Sequence, residues 1–278
     1  MTVTRLGITQ DDKYHPGTDA GETTPLMHVA AIIPARYGSS RFPGKPLAKE
    51  TGKFLIQHVC EQVGQARTID RCIVATDDKR IAEAVRSFGG EVVMTRADHP
   101  SGTDRIAEVV EGMLGEPDDI VLNVQGDEPE LDPANLDRLV DRIARDEHCS
   151  LATLAAPFGP DADPRDPNLV KVARNHAGEA LYFSRSLIPY PRDGVDEKIN
   201  PADWLLHLGV YAYRRAFLLQ FAGLPQSPLE AVEKLEQLRA LEHGHVIAVE
   251  VVETSAPGID TPAEYQEFVR RWRARRPE

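Results

Sequence analysis

Three basic residues, Arg36, Arg41 and Lys45, fall in one ten-residue stretch, interleaved with Gly38, Ser39, Ser40 and Gly44 and with no acid among them. Small residues let backbone N–H groups approach a ligand, and Arg and Lys bring full positive charge. The combination suits a polyphosphate; the plainer alternative is a solvated surface loop. The spelling matches neither G-x-G-x-x-G nor G-x-x-x-x-G-K-[ST], so neither familiar phosphate motif applies. Farther on, Asp127 and Glu128 follow an apolar run in VLNVQGDEPE. Carboxylates so placed suit a divalent cation that takes its other ligands from phosphate and water, or they begin a turn and cap the next helix. Asp260, in GIDTP, offers a second carboxylate, and composition alone favours a helix cap there. HPSGTDR, residues 99–105, holds hydroxyls, backbone donors and Arg105, which fit a nucleotide base or ribose as well as they fit a helix start. His207, Gly209, Tyr211 and Tyr213 alternate, so they share one strand face, read as packing, a small-molecule pocket or a subunit contact. Glu233, Glu236, Gln237 and Arg239 lie between leucines, the pattern of an amphipathic surface helix.

These residues need elements to position them. Residues 29–33 form a short apolar, β-branched run, expected as a strand buried on both faces of a parallel sheet. The basic loop then leaves its carboxyl end, where open α/β sheets bind ligands. A helix over 54–63, a strand over 71–76, a helix over 79–88 and a strand over 91–95 continue the rhythm of right-handed βαβ units. A helix over 106–113, a strand over 120–124, a helix from Asn135 and a strand over 151–156 follow. After a proline-rich loop, residues 169–174, 180–186 and 207–214 read as strands, with a long polar segment between the last two. One helix is expected from Ser227 through Leu241, then a strand over 246–252 and a helix from Ala263.

The chain has 278 residues, 41% of them apolar, enough for one large α/β domain or a domain with an insertion. Its formal net charge of −12 argues against nucleic acid or a membrane surface as partner, so an anionic ligand must meet a local basic cluster. Cys60, Cys72 and Cys149 are widely spaced and form no C-x-x-C pair, which indicates neither a disulfide framework nor a zinc site. No apolar run is long enough for a membrane span, and no signal-peptide core is evident, so a cytoplasmic protein without membrane insertion is expected. Residues 1–27 are polar and read as a flexible N-terminal extension, with translation starting at Met27 as one hypothesis.

Taken in order, the blocks IPARYGSSRFPGKPL, IVATDD, MTRADHPSGTDRIAEV, VLNVQGDEPE, DPNLVKV, ALYFSRSLIPYPRD, HLGVYAYR, SPLEAVEKLEQLRALEHG and GIDTPAEY resemble the 3-deoxy-manno-octulosonate cytidylyltransferase (CMP-Kdo synthetase) family of lipopolysaccharide synthesis. The loop spelling resembles the Kdo branch rather than the CMP-sialic acid synthetases. The resemblance implies a Rossmann-like nucleotide-diphospho-sugar transferase fold with a mainly parallel central sheet and helices on both faces. It places the catalytic domain at 28–278, with 169–213 as an inserted, smaller α/β region for sugar binding and homodimer contact. The implied reaction joins CTP and Kdo into CMP-Kdo and pyrophosphate, with Mg²⁺ as cofactor. Arg36, Lys45 and Asp127 are then the implied catalytic residues, and Asp127 and Asp260 the metal ligands. The nucleotide falls to Arg36, Ser39, Arg41, Lys45, Ser101, Gly102, Thr103, Arg105 and Gln125. The sugar falls to Arg185, His207, Tyr211, Glu236 and Gln237. One departure is Leu206, where the family commonly carries Arg before His-Leu-Gly; it leaves an 8-amino analogue of Kdo open, with sialic acid a further alternative. A nucleotide-binding regulator on the same scaffold would be free to lose the two aspartates, and both are present.

Overall fold

The computed structural model describes residues 27–39, 41–113, 115–192, 201–253 and 257–275. The expected N-terminal extension up to residue 26, Ser40 of the basic loop and the polar segment 193–200 lie outside the described residues.

The strands are β1 (Val29–Ala35), β2 (Arg71–Thr76), β3 (Glu91–Met94), β4 (Ile120–Asn123), β5 (Leu151–Pro157), β6 (Lys171–Arg174), β7 (Ala180–Ser184), β8 (Leu205–Arg214) and β9 (Ile247–Val251). The helices are α1 (Leu55–Val63), α2 (Lys79–Ser87), α3 (Gly102–Glu111), α4 (Pro133–Ala144), α5 (Arg215–Ala222), α6 (Pro228–Glu233), α7 (Gln237–Glu242) and α8 (Pro262–Ala274). The central sheet runs β3-β2-β1-β4-β8-β5-β9. β1 pairs in parallel with β2 and β4, and β9 with β5, while β8 runs antiparallel between β4 and β5. The apolar runs explain the layering. Ile32 and Ile33 are both fully buried on opposite faces of β1, one against α3 and α5, the other against α1, α2 and α4. A small third cluster joins Leu55 and Ile259 to Tyr265, Phe268 and Val269 of α8.

Several expectations shift. α3 starts at Gly102 with Ser101 as N-cap, so residues 102–105 are its first turn and not a loop before a helix at Ile106. The single helix expected from Ser227 to Leu241 is two, broken where Lys234 takes a left-handed φ of 54°. α5, for which the sequence pattern offers no assignment, fills the gap before them. Of the region 169–213, the β6–β7 hairpin lies off the main path of the sheet, whereas β8 sits at the centre of that sheet. The apolar content of VYAYR fits that buried position, with Val210 and Ala212 fully buried.

Candidate active site

The basic loop leaves the carboxyl end of β1, and two carboxylates from distant parts of the chain come to meet it. The Lys45 ammonium lies 2.8 Å from Asp127 Oδ2, 3.2 Å from Asp260 Oδ1 and 2.6 Å from the Ile259 carbonyl. Arg41 reaches Asp260 Oδ2 at 2.9 Å. β1 and β4 are neighbours in the sheet, which brings the loops after them together. The Ile259 N–H bonds the Asp127 carbonyl at 2.9 Å and fixes the third segment. Neither aspartate is a helix cap. Asp132 caps α4, and Thr261, in a capping box with Glu264, caps α8. Asp127 and Asp260 are therefore spared for the cluster, with side chains 29% and 45% exposed. Burial, and next the charge of Asp127, push the Glu128 carboxyl up to about 8.

The donor set suits a hard cation. Two partly exposed carboxylates are what Mg²⁺ takes from a protein when phosphate oxygens and water complete its shell. Among the described residues no group of three or more His, Cys, Asp or Glu is placed to hold a metal by itself. A cation at Asp127 and Asp260 would thus be shared with a phosphate ligand.

The start of α3 forms a second wall. Arg36, exposed at the end of β1, donates from Nη2 to the carbonyls of His99 at 2.8 Å and Ser101 at 3.0 Å. Gly102 stands against β1, where a Cβ would lie 3.3 Å from Pro34 Cγ. The Ser101 hydroxyl caps α3 and also bonds Asp104, so the helix-start reading holds for it. Arg105 is fully buried, turned to Asp77 at 3.1 Å and to the Thr95 hydroxyl, while its Nε and Nη2 have no hydrogen-bond partner. Ser39 accepts the Phe42 N–H at 3.2 Å within the basic loop. Gln125 spans to β8, donating to the Gly209 carbonyl at 2.9 Å.

The polar-aromatic face of β8 closes the third side. His207, Tyr211 and Tyr213 do share a face, with ring centroids 5.4 Å and 6.0 Å apart, despite an irregularity in the β5–β8 ladder opposite Thr153 and Leu154. Burial lowers the His207 pKa to about 3, so the ring is neutral. Its Nε2 lies 3.0 Å from the Thr153 hydroxyl, which also reaches the Val210 carbonyl at 2.8 Å. A carbonyl can only accept, so the Thr153 proton goes there, and His207 Nε2 carries its own proton towards Thr153. Nδ1 is left as the acceptor. Thr103 donates to Glu236 Oε2. Burial raises the pKa of Glu236. Its Oε1 and the neighbouring Gln237 Nε2 are buried without a hydrogen-bond partner. The Arg185 guanidinium bonds the carbonyls of Glu233 at 2.7 Å, Pro167 at 2.9 Å and Lys234 at 3.4 Å, just ahead of Glu236.

A search for charge and motif misses three supports. Lys171, fully buried, donates to three carbonyls, including that of Arg185 at 2.6 Å. Glu230 and Arg239 form a buried pair that holds α6 against α7. Tyr37 and Arg80 stack beside the basic loop. Only the unusual placement of a lysine in the apolar run LVKVA signals any of these in advance.

A cytidylyltransferase family model matches residues 30–250. The chain is 52% identical over 242 residues to a 3-deoxy-manno-octulosonate cytidylyltransferase of Syntrophotalea carbinolica, covering 86% of this chain and 96% of that protein. It is 47% identical over 239 residues to an 8-amino-3,8-dideoxy-manno-octulosonate cytidylyltransferase of Shewanella halifaxensis, again covering 86% and 96%. Among solved structures it resembles a CMP:2-keto-3-deoxy-manno-octonic acid synthetase complexed with CTP. The TM-score is 0.83 at 43% identity, over 90% of this chain and all of the other. A 4-diphosphocytidyl-2C-methyl-D-erythritol synthase, 13% identical with a TM-score of 0.58, shares the fold over 87% of this chain and 97% of its own.

Proposed function

The chain belongs to the 3-deoxy-manno-octulosonate cytidylyltransferase family, and on that premise we propose that it transfers CMP from CTP to 3-deoxy-D-manno-octulosonate (Kdo), releasing pyrophosphate. The observation that carries the reading is the convergence of the basic loop and two carboxylates at Lys45 Nζ. In this chemistry the anomeric hydroxyl of the sugar attacks the α-phosphorus in line, and positioning and charge stabilisation supply most of the rate. Arg36, Arg41 and Lys45 take the negative charge of the triphosphate. Lys45 spends its three donors on both aspartates and the Ile259 carbonyl, so a phosphate oxygen would replace one of these acceptors. Asp127 and Asp260 would hold Mg²⁺, which supplies Lewis-acid neutralisation of phosphate charge and a lower pKa for the attacking hydroxyl. In this reading Ser39, Ser101, Gly102, Thr103, Arg105 and Gln125 serve the nucleotide side.

For the sugar, three of the five Arg185 N–H donors are used on carbonyls, and two remain for its carboxylate. Neutral His207, Tyr211, Glu236 Oε1 and Gln237 Nε2 answer hydroxyls. Gln237 Nε2 is buried without a hydrogen-bond partner, and Glu236 Oε1 has only the Arg239 guanidinium at 3.6 Å; such atoms are uncommon in folded chains, which supports a ligand there. The reading includes a homodimer through the β6–β7 region, where Leu181 is 63% and Tyr190 73% exposed. Among the described residues no helix is long and apolar enough to cross a membrane.

A second sugar is kept in view because Leu206 stands where the family commonly has Arg, at a position paired with Ala156 and Lys171. The test is pyrophosphate release from CTP and Mg²⁺ with Kdo, its 8-amino analogue and sialic acid. Release with Kdo at the highest kcat/KM is expected; preference for the 8-amino sugar replaces the substrate, and no release with any sugar overturns the reading.

A further inference from the structure

The basic loop is closed at a neck, and the neck is formed by an uncharged residue. The Tyr37 carbonyl accepts the Gly44 N–H at 2.9 Å and the Ser39 N–H at 3.0 Å. Arg36 and Lys45 therefore leave from the two ends of a pinched loop, with Arg41 inside it. Two neighbours hold the Tyr37 ring. Gly44 lies against its Cε2, Cζ and hydroxyl: a Cβ built on Gly44 would stand 3.0–3.2 Å from those atoms, and its φ of 72° further restricts the position to glycine. The guanidinium carbon of Arg80 lies 3.4 Å from the ring centroid. Arg80 is itself aimed by Asp78, with Nε to Oδ1 at 3.0 Å and Nη2 to Oδ2 at 2.6 Å. Asp78 is the N-cap of α2 and accepts the backbone N–H groups of Arg80 and Ile81, so it cannot move without unwinding the helix start. A continuous chain of contacts, Asp78 to Arg80 to Tyr37 to Gly44, thus ties the loop to the junction of β2 and α2.

We propose that Tyr37 and Arg80 are positioning residues for the triphosphate, setting the spacing of Arg36 and Lys45 before CTP arrives. The proposal rests on the reading of the loop as the triphosphate site. Its physical basis is preorganisation: a loop free to rearrange loses conformational entropy when it closes on a ligand, whereas a loop pinned at its neck has already lost it. Neither side chain needs to touch the nucleotide. Because Arg80 is paired with Asp78, it serves the ring as a stacking partner and does not compete for the phosphate oxygens.

The experiment compares steady-state constants for both substrates in Tyr37→Leu, Tyr37→Phe, Arg80→Ala and Lys45→Ala. Tyr37→Leu is expected to raise the KM for CTP about ten-fold, with the sugar KM within about two-fold of the parent. Tyr37→Phe, which keeps the stacked ring, is expected to restore the parent value. Arg80→Ala, an exposed position with little bearing on folding, is expected to raise the KM for CTP about two- to five-fold, the scale of a surface cation–π contact. An unchanged KM for CTP in Tyr37→Leu and Arg80→Ala, or an equal rise for both substrates, overturns the proposal. Lys45→Ala separates the two levels. A raised KM for CTP there with no effect at Tyr37 and Arg80 removes the neck alone; no effect at Lys45 removes the triphosphate reading and the neck with it.

Discussion

Lys45 is the residue at which the candidate site is assembled, and its surroundings explain why three oxygens converge on one nitrogen. Its side chain is 12% exposed, and an ammonium so enclosed needs every donor satisfied. Asp127, Asp260 and the Ile259 carbonyl do this, and the same arrangement keeps two carboxylates together that would otherwise repel. Asp127→Asn tests what the charge is for. The amide keeps the shape, and Lys45 keeps Asp260 and Ile259, so the change in unfolding free energy should stay within about 1 kcal/mol. Loss of a carboxylate at the reacting phosphate should lower kcat by about 10²-fold or more. Thermal unfolding and pyrophosphate release measure the two quantities, and a near-parent rate at saturating Mg²⁺ would refute the assignment of Asp127. In NVQGDEP the neighbours of Asp127 left a cation site and a helix cap both open, and composition favoured a cap for Asp260; the structure gives the caps to Asp132 and Thr261 and brings both aspartates to Lys45.

At the scale of elements, the short helices α6 and α7 decide where the residues proposed for the sugar stand. Lys234 turns the chain at φ 54°, which ends α6 and lets α7 restart with Glu236 as its N-cap, against Thr103 of α3. Leucines at helical spacing on both sides concealed that break, since periodicity reports which residues are buried and says nothing of a left-handed residue without glycine. The pair Glu230 and Arg239 holds the bend, both side chains about one-tenth exposed, with bonds of 2.6 and 2.8 Å. Removing one partner of a buried pair leaves the other charge uncompensated. Glu230→Gln should therefore destabilise the fold by about 3 kcal/mol, read by urea unfolding. It should also raise the sugar KM more than the CTP KM, because Glu236 lies within 3.6 Å of the same arginine. A stability change below about 1 kcal/mol would show that the pair does not hold the bend.

For the whole molecule, His207 couples the centre of the sheet to pH. Its ordinary value is 6.5 and burial lowers it to about 3, so between those values the folded chain binds fewer protons than the unfolded chain. The contribution of His207 to stability should fall as pH drops from about 6.5 towards 3, by at most about 1.4 kcal/mol per pH unit. Glu128, pushed up to about 8, acts with the opposite sign over about pH 5 to 7, because its folded carboxyl keeps a proton that the unfolded chain loses. Asp78, Glu108 and Asp146, whose carboxyls hydrogen bonds hold below their ordinary values, contribute only at more acid pH. The test is therefore the difference between parent and His207→Gln in urea unfolding at pH 7, 6 and 5, which should shrink as pH drops; a difference independent of pH would remove His207 as a source. The same strand shows where reading the chain reaches its limit. The sequence by itself determined the alternation of strands and helices, the burial of β1 on both faces, the chemistry of the basic loop and the shared face of His207, Tyr211 and Tyr213. Each depends on residues adjacent or a few positions apart, whose periodicity or charge is visible locally. Tertiary structure alone decided that β8 enters the sheet between β4 and β5, that Arg105 is buried beside Asp77 and Thr95, and that Asp127 and Asp260 meet at Lys45. These outcomes follow from strand order and the packing of helices on the sheet. Lys45 meets Asp127 across 82 positions and Asp260 across 215, and contacts so distant in the chain leave no local pattern to read.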